Sequence, residues 1–449
     1  MEAIVVGGGI TGLCAAHYLQ KALGREQVLV LEAAQEPGGS AQTDLVDGYV
    51  VERGPNGFLD KEPKTLQWVE EVGLKDDLLR ADEAAAHRFI LRRGRLHEVR
   101  KPPAFFLSPL LSRKGRARLL CEPFIKPYRS PFPETVWEFA ARRLGREAAD
   151  VLMGPMVSGI YAGDARQLSV EQCFPRLVEM ERTHGSLLKA LRAARGEQGA
   201  VRGEGKLTCF YKGIGHLMDA AGAGLGDSLQ LGCGATRIER TLTGWAVTTG
   251  DGEVVHTERL ILATPAHVAA ELLHEADSTL AETLADIPYV GVAVLCTGYR
   301  RAQVEHPLNG FGFLVPRMEN RRALGCLWSS SIFPHHAPKD HVLLRTMYGG
   351  AGDPSVLDLE DRDLMAMFQK ELGPLMGLRG DAQMMRVYRW EKAIPQYDLG
   401  HARRLEIMER RLQSLPGLAL AGNAYRGVGL NDCVVSARGA VERVLEAGQ

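Results

Sequence analysis

Short apolar runs separated by polar turns mark both ends of the chain. Residues 3–6 form an apolar, β-branched run, an alanine-rich helical pattern continues through residue 23, and residues 28–31 form a second apolar run. Strand, helix and strand in this order predict a βαβ unit with a parallel sheet. Near the other end, residues 418–421 favour a strand and residues 434–445 favour a helix. We therefore expect the C-terminus to complete a domain that the N-terminus begins.

The pattern between these ends changes three times. Residues 81–204 are mostly helical and basic, residues 205–270 return to short strands, and residues 271–404 mix strands with helix. A helix is expected at 364–372, and strands at 228–231, 246–249, 260–265, 290–295 and 342–347. We predict an α/β fold in which a Rossmann-like domain, built from residues 1–80, 205–270 and 405–449, is interrupted by a helical domain (81–204) and a mixed-sheet domain (271–404).

Composition narrows the function. The 54 Lys and Arg against 55 Asp and Glu give a net charge of −1, which excludes a generally basic nucleic-acid-binding protein. The eight cysteines are scattered without a C-x-x-C pair, which argues against zinc, iron–sulfur and disulfide frameworks and for a reducing compartment. The 50 glycines exceed the usual share, which favours sites where the backbone approaches a ligand closely.

The first apolar run leads directly into the pattern Gly7-x-Gly9-x-x-Gly12. Gly7 allows a tight turn, Gly9 lets backbone N–H groups approach a pyrophosphate, and Gly12 lets helix and strand pack. Glu32 ends the second run, where this motif needs a carboxylate for ribose hydroxyls. The helix N-terminus adds partial positive charge for the phosphates. The segment therefore predicts a dinucleotide site.

A second glycine turn, Gly38-Gly39-Ser40, follows Glu32. It resembles the second signature of the flavin amine oxidase superfamily, in which an acid precedes a Gly-Gly turn and a basic or aromatic residue. The resemblance implies that FAD is bound, with its pyrophosphate between the two turns. Ser40 stands where the basic or aromatic residue is usual, so we expect this turn to act through its backbone.

A further glycine-rich turn precedes the last helix, in the sequence GNAYRGVGLNDC. Asn431 and Asp432 are predicted N-cap residues for that helix. In FAD enzymes such a helix start can face the pyrimidine edge of the flavin and stabilise charge there.

Several narrower motifs resemble the oxygen-dependent protoporphyrinogen IX oxidase family. They follow the family's order along almost the whole chain: GPNGF at 54–58, GIYAGD at 159–164, GFGFLVP at 310–316, IPQY at 394–397 and GVGLNDC at 427–433. The resemblance implies an enzyme of haem biosynthesis that oxidises protoporphyrinogen IX to protoporphyrin IX. Six electrons leave in three rounds of FAD reduction, and O₂ accepts them to give H₂O₂.

The same resemblance implies a substrate site. Phe311 and Leu314 would contact the macrocycle faces with Met347 nearby, Gly159 would offer its backbone carbonyl to pyrrole N–H groups, and Arg88 would pair with a carboxylate arm. The flavin carries the chemistry, so no catalytic side chain and no metal is predicted.

The cofactor site implied by the motifs comprises several short segments. Its residues are Gly7, Gly8, Gly9, Ile10, Thr11, Gly12, Glu32, Gly39, Ser40, Gly54, Pro55, Asn56, Gly57, Thr236, Gly422, Val428, Gly429 and Leu430. Trp390 and Tyr397 are expected to belong to the core instead.

Positive charge is concentrated inside the helical segment. Residues 88–129 hold twelve Lys or Arg and two acids, and their apolar neighbours are Phe105, Phe106, Leu110, Leu111 and Phe124. This pattern is typical of a solvated helical surface, or of a region that contacts an anionic lipid surface or ligand. We favour the second and predict a cytoplasmic protein peripherally associated with the inner membrane.

Other functions stay open at this point. A sister enzyme oxidises coproporphyrinogen III, which carries two more carboxylate arms, with the same fold and chemistry. An amine oxidase or carotenoid desaturase would share the FAD segments but not GIYAGD or the 311–314 stretch. A non-catalytic prenyl-binding carrier would need vestigial pyrophosphate turns. A homodimer is the assembly we consider, and no nucleic-acid partner is expected.

Overall fold

The computed structural model describes residues 1–100, 104–196 and 205–446, and all statements below concern these ranges. The strands are β1 (Ala3–Val6), β2 (Val28–Leu31), β3 (Thr43–Val46), β4 (Tyr49–Glu52), β5 (Phe58–Leu59), β6 (Leu78–Arg80), β7 (Arg88–Arg92), β8 (Arg95–Glu98), β9 (Leu207–Phe210), β10 (Leu229–Gln230), β11 (Ala235–Arg240), β12 (Trp245–Thr249), β13 (Val254–Thr257), β14 (Arg259–Leu262), β15 (Tyr289–Arg300), β16 (Gly312–Leu314), β17 (Ala323–Trp328), β18 (His341–Gly349), β19 (Met384–Pro395) and β20 (Leu418–Leu420).

The α-helices lie between and after these strands. They are α1 (Ile10–Leu23), α2 (Pro63–Glu71), α3 (Arg113–Leu120), α4 (Val136–Arg143), α5 (Arg146–Ala148), α6 (Gly154–Tyr161), α7 (Val170–Cys173), α8 (Pro175–His184), α9 (Leu187–Gly196), α10 (Gly215–Leu225), α11 (Ala266–Leu273), α12 (Ser278–Ala285), α13 (Ser329–Ile332), α14 (Asp361–Glu371), α15 (Gly373–Met376), α16 (His401–Gln413) and α17 (Leu430–Glu446). A π-helical turn, Ala149–Met153, joins α5 to α6.

A five-stranded parallel sheet in the order β10-β2-β1-β14-β20 draws its strands from both ends of the chain and from residues 205–270. Its central strand is buried on both faces, which is why β1 is a continuous apolar run rather than an alternating one. Ala3 and Val5 pack with α1 and α17, while Ile4 and Val6 pack on the opposite side against β12. The βαβ unit predicted from the sequence is confirmed.

A seven-stranded mixed sheet in the order β19-β15-β18-β17-β16-β7-β8 forms the second large layer. Its strands pair antiparallel except β16 and β7, which are parallel. The β7–β8 hairpin corrects the expectation of helix after residue 81. These strands form because β16, more than 200 residues later in the chain, supplies their partner, with Gly312 opposite Arg88.

Helices α3 to α9 follow one another in the chain between β8 and β9 and form a helical unit. Arg143 and Glu122 are fully buried and form an ion pair. The Glu122 carboxylate also accepts the backbone N–H groups of Leu187 (2.9 Å) and Leu188 (3.1 Å) at the start of α9. A buried charge pair is costly unless further hydrogen bonds support it, and here these bonds join the segment after α3 to the start of α9.

The apolar residues in the basic stretch have different environments. Leu110 and Leu111 are buried, whereas Phe124 is 86% exposed. Lys101 and the side chain of Phe106 lie outside the described residues. Within the described ranges, no helix is both long enough and apolar enough to cross a bilayer.

The last helix begins earlier than the sequence pattern indicated. The α17 helix starts at Leu430, not at residue 434, so Asn431 and Asp432 lie in its first turn and are not N-cap residues. The Asp432 carboxylate nevertheless accepts the Gly429 N–H at 3.0 Å and so stabilises the turn that enters the helix. The strand expected at 228–231 is shorter and covers only Leu229–Gln230.

Candidate cofactor and substrate site

The first glycine turn is shaped by close backbone approaches. A Cβ at Gly12 would lie 1.7 Å from the Gly7 carbonyl oxygen. A Cβ at Gly7 would lie 2.8 Å from the carbonyl oxygen of Ala263, the residue that follows β14. Gly9 is the N-cap of α1, and no side chain caps the helix that Ile10 and Thr11 begin. The free N–H groups and the helix dipole favour an anion at this point.

Glu32 lies at the end of β2, directly beside this turn. Its carboxylate accepts the Gly8 N–H at 2.5 Å and the Ala34 N–H at 2.7 Å. The second glycine turn adjoins the first, because Gly38 donates to the Gly8 carbonyl at 2.8 Å and forms a bridge with Gly9. Glu32 and the two turns that the motifs assigned to the pyrophosphate therefore meet.

A third turn, residues 54–57, continues the same surface. A Cβ at Gly54 would lie 2.0 Å from the Ser40 carbonyl oxygen, and a Cβ at Gly57 would lie 2.5 Å from the Thr208 carbonyl oxygen. Gly39 and Ser40 are exposed, and Pro55 is half-buried. These contacts explain why backbone, not side chain, dominates the predicted cofactor segments.

The C-terminal turn carries Gly422, Val428, Gly429 and Leu430. Gly422 is separated from β20 by one residue. Its φ is +139°, and its N–H donates to Ser436 Oγ at 3.0 Å. Thr236 lies apart on β11, where its hydroxyl donates to the backbone carbonyls of β12, so its side chain is engaged in its own sheet.

The residues of these turns fit a dinucleotide. Asn56 Nδ2 and Oδ1, Thr264 Oγ1 and Asn431 Oδ1 are buried without hydrogen-bond partners among the described residues. There is open space beside two of the glycines. A Cβ added at Gly422 would have no neighbour within 4 Å, and a Cβ added at Gly9 would have its nearest neighbours, in the second turn, at 4.0 Å. Buried polar atoms without partners are costly, so a polar ligand that pairs with them stabilises this region.

Three of the five predicted substrate residues lie on three neighbouring strands or in contact with them. Leu314 on β16 is opposite Gly325 on β17, which is opposite Met347 on β18. A Cβ at Gly159 in α6 would lie 2.7 Å from Leu314 Cδ2. Gly159 is in the last turn of α6, where carbonyl groups lack helical partners, and the N–H of the C-cap Ala162 donates to Ser158 instead.

Arg88 and Phe311 complete this group. The Arg88 guanidinium lies over the Phe311 ring, with Cζ 5.0 Å from the ring centroid. Arg88 is exposed, and no carboxylate in the described part of the chain pairs with it. The nearest acid on the hairpin, Glu98, is held by His87 and Arg100, which lower its pKa. Arg88 is therefore free to bind an anionic ligand.

Arg345 connects the substrate side to the cofactor side. It lies on β18 two residues before Met347, and its guanidinium donates to the Gly54 carbonyl. Arg345 could not be predicted from the sequence, because a lone arginine in an apolar strand run belongs to no motif.

A buried polar cluster under the third turn was also missed. The Glu52 carboxylate, the Cys209 thiol and the His336 imidazole lie within 4.8 Å of one another. Burial raises the pKa of Glu52 to about 7 and lowers the pKa of His336 to about 3. Glu52 accepts the Ile214 N–H at 3.0 Å and the Thr43 hydroxyl at 2.7 Å, so its carboxylate is well satisfied.

Comparison with known proteins decides the family. The profile of the flavin-containing amine oxidoreductases matches residues 10–445. The chain belongs to this family. As a flavin-containing amine oxidoreductase it is an FAD-dependent enzyme, and the FAD prediction is confirmed.

Three relatives of this flavin-containing amine oxidoreductase carry porphyrinogen oxidase names. The chain is 29% identical over 99% of its length to a coproporphyrinogen III oxidase of Bacillus subtilis (strain 168), covering 98% of that protein. It is 32% identical over 97% of its length to a chloroplastic protoporphyrinogen oxidase of Oryza sativa subsp. japonica, covering 86% of it. A crystal structure from Exiguobacterium sp. 255-15, provisionally named protoporphyrinogen oxidase, superposes with a TM-score of 0.87 at 28% identity, covering 100% of this chain and 99% of that one.

Proposed function

We propose that this FAD-dependent enzyme oxidises protoporphyrinogen IX to protoporphyrin IX in haem biosynthesis, with O₂ as the final electron acceptor. Bound FAD supplies a two-electron acceptor, so removal of six hydrogen atoms takes three rounds, each matched by reduction of one O₂ to H₂O₂. The observation that carries the proposal is the convergence of an unpaired arginine, Arg88, with the apolar side chains of Phe311, Leu314 and Met347 next to the cofactor turns.

Each residue has a task that its surroundings support. The Arg88 fork binds a carboxylate arm and so orients the macrocycle, and Phe311 holds the guanidinium from one side. Leu314 and Met347 offer a flat apolar surface that excludes water. Gly159 lacks a side chain and leaves its helix-terminal carbonyl accessible to pyrrole N–H groups.

Coproporphyrinogen III is the second candidate substrate, because the Bacillus subtilis relative is named for it. Its four carboxylate arms need more cations than the two arms of protoporphyrinogen. Arg92 on the same strand as Arg88 pairs with Glu147 and Glu319, and Arg317 after β16 pairs with Asp164 at 2.9 Å. Neither of these two arginines is available for a further carboxylate arm, which favours the substrate with two carboxylates.

Turnover of both porphyrinogens by purified, FAD-loaded protein tests the proposal. We expect a higher kcat/KM for protoporphyrinogen IX, with one H₂O₂ formed for each O₂ consumed. A higher kcat/KM for coproporphyrinogen III would replace the first substrate by the second. A protein that stays colourless when incubated with FAD would favour the non-catalytic carrier.

Peripheral membrane contact is part of the same proposal. Phe124 and Phe132 are 86% and 74% exposed, Leu120 is 55% exposed, and Lys126 and Arg129 lie on the same segment. Exposed aromatic side chains beside cations suit the surface of an anionic bilayer, where the apolar groups insert and the charges meet headgroups. The protein is then a cytoplasmic enzyme held at the inner membrane.

Binding to vesicles tests this contact. We expect co-sedimentation with anionic vesicles at low salt, release at high salt, and loss of binding in Phe124→Ser. Leu242→Ser is the matched control, because Leu242 is also a fully exposed apolar residue but lies on the turn between β11 and β12. Equal binding of both variants would contradict the assignment. Sedimentation of the same preparations tests the homodimer, which stays a prediction.

A further inference from the structure

Two consecutive residues after β19 contact both sides of the site. Gln396 is 6% exposed, and its Nε2 donates to the Tyr161 carbonyl at 2.8 Å, at the end of α6. A Cβ at Gly163 would lie 2.4 Å from Gln396 Oε1. The side chain of Gln396 therefore fixes the end of the helix that carries Gly159.

Tyr397 reaches in the other direction. Its hydroxyl donates to the Asn423 carbonyl at 2.5 Å and accepts the Gly427 N–H at 2.8 Å. Both partners belong to the turn between Gly422 and Leu430. Gly427 has a φ of +118°, a conformation that glycine adopts readily, and its N–H is satisfied by the Tyr397 hydroxyl rather than by a regular helix or strand.

The tyrosine itself is held rigidly. Its ring is fully buried and stacks on His401 with centroids 4.2 Å apart and an interplanar angle of 15°. His401 in turn bonds the Tyr425 carbonyl at 2.9 Å, and the Tyr397 carbonyl accepts the Ser169 N–H at 2.8 Å. Because Tyr397 is held on so many sides, it can keep the segments that it contacts in a fixed relative position.

We propose that Gln396 and Tyr397 are positioning residues that hold the substrate-side helix α6 and the cofactor-side turn 422–430 in one fixed relation. The cofactor part of this inference follows from FAD binding alone, and the substrate part rests on the proposed function. Neither residue touches a reacting atom. The core assignment expected for Tyr397 from the sequence thus describes its burial but not the task of its hydroxyl.

Tyr397→Phe tests the cofactor half. The variant keeps the buried ring and removes only the hydroxyl, which leaves the Gly427 N–H without its partner. We expect the Kd of the apoprotein for FAD, measured by flavin fluorescence quenching, to rise roughly tenfold. Tyr49→Phe is the matched control, because the Tyr49 hydroxyl on β4 is buried, lies outside the turn 422–430 and has no hydrogen-bond partner among the described residues.

The comparison separates positioning from general stability. Both tyrosine variants are also followed by thermal unfolding of the apoprotein and by the visible absorption spectrum of the loaded protein. A change of Kd and of spectrum in Tyr397→Phe alone supports the inference. Equal Kd values in the two variants would overturn it, whatever their unfolding temperatures, and this outcome does not depend on any porphyrinogen.

Gln396→Met tests the substrate half. Methionine is of similar length but cannot donate to the Tyr161 carbonyl. We expect the KM for protoporphyrinogen to rise roughly fivefold while the Kd for FAD stays unchanged. An unchanged KM in folded Gln396→Met would overturn this half. If Gln396→Met does not fold, Gln396→Leu serves instead, since leucine also lacks the donor.

Discussion

Leu314 of β16 and Gly159 of α6 are in direct contact, so that a Cβ added at Gly159 would lie 2.7 Å from Leu314 Cδ2. The contact joins a strand of the mixed sheet to the helical unit. Because the atom that would be displaced is the end of a flexible side chain, the fold can accommodate a methyl group, but Leu314 then has to turn into the space assigned to the macrocycle.

Gly159→Ala is therefore expected to retain FAD and stability but to lower kcat/KM for protoporphyrinogen roughly tenfold. Shortening the neighbour in the double variant Gly159→Ala with Leu314→Val should restore part of the loss. Steady-state kinetics on the four proteins of this cycle measure the coupling. Parent-like kinetics in Gly159→Ala would remove the glycine from the substrate site.

Arg88→Ala should raise the KM for a porphyrinogen by roughly tenfold to a hundredfold without changing flavin content. The reason is the loss of a charge-assisted bond to a carboxylate arm. The KM of Arg88→Lys should lie between the KM of the parent and that of Arg88→Ala, because lysine keeps the charge but not the planar guanidinium fork. Arg95→Ala, which removes another exposed arginine of the same hairpin, is the control. If the KM of Arg88→Ala equals that of the control, Arg88 does not bind the substrate.

Gly9→Val separates cofactor binding from folding. A Cβ at Gly9 has no neighbour closer than 4.0 Å and its φ is −73°, so the apoprotein should unfold at the parent temperature. The added side chain occupies the position where backbone would approach the pyrophosphate, so FAD should be lost on gel filtration. Gly439→Ala, in open space on α17, should keep FAD. A yellow Gly9→Val protein would contradict the assigned phosphate turn.

Much of the cofactor half was predictable from the sequence because its determinants are local. The pattern Gly7-x-Gly9-x-x-Gly12 and the apolar runs around it specify a strand, a turn and a helix within one short segment, and the structure has them there. The start of α17 was predicted too late in the sequence, because a glycine-rich turn followed by Asn431 is also typical of a helix N-cap.

The arrangement of the substrate residues depends on strand pairings between distant parts of the chain, which no local sequence pattern predicts. The β7–β8 hairpin is rich in arginine and was assigned to a helical segment. Only its parallel pairing with β16 brings Arg88 beside Phe311. Motif resemblance supplied these residues individually, and the sheet register explains why they meet.

No sequence pattern predicted the cluster of Glu52, Cys209 and His336, because its members come from distant segments without regular spacing.

The Glu52 carboxyl makes the stability of the protein depend on pH. The pKa of Glu52 in the folded state, about 7, lies above its ordinary value of 4.5, so its contribution to stability is present below pH 4.5 and is lost as pH rises to 7.

Glu52→Gln cannot ionise and should escape this loss. The free energy of unfolding of the variant relative to the parent is expected to rise between pH 5 and pH 8, by up to roughly 3 kcal/mol. Urea unfolding followed by circular dichroism across this range measures it. His336 is common to both proteins, so its own titration cancels to first order. A difference that does not vary with pH would show that Glu52 is ionised in the fold at all these values.

The central claim is that FAD and a porphyrinogen meet between the glycine turns and the row formed by Leu314, Gly325 and Met347. Anaerobic mixing of the FAD-loaded protein with protoporphyrinogen IX, followed at the visible absorption maximum of the flavin, tests it most directly. We predict that the flavin band bleaches and then returns when air is admitted. A flavin band that is unchanged by excess protoporphyrinogen would contradict the account.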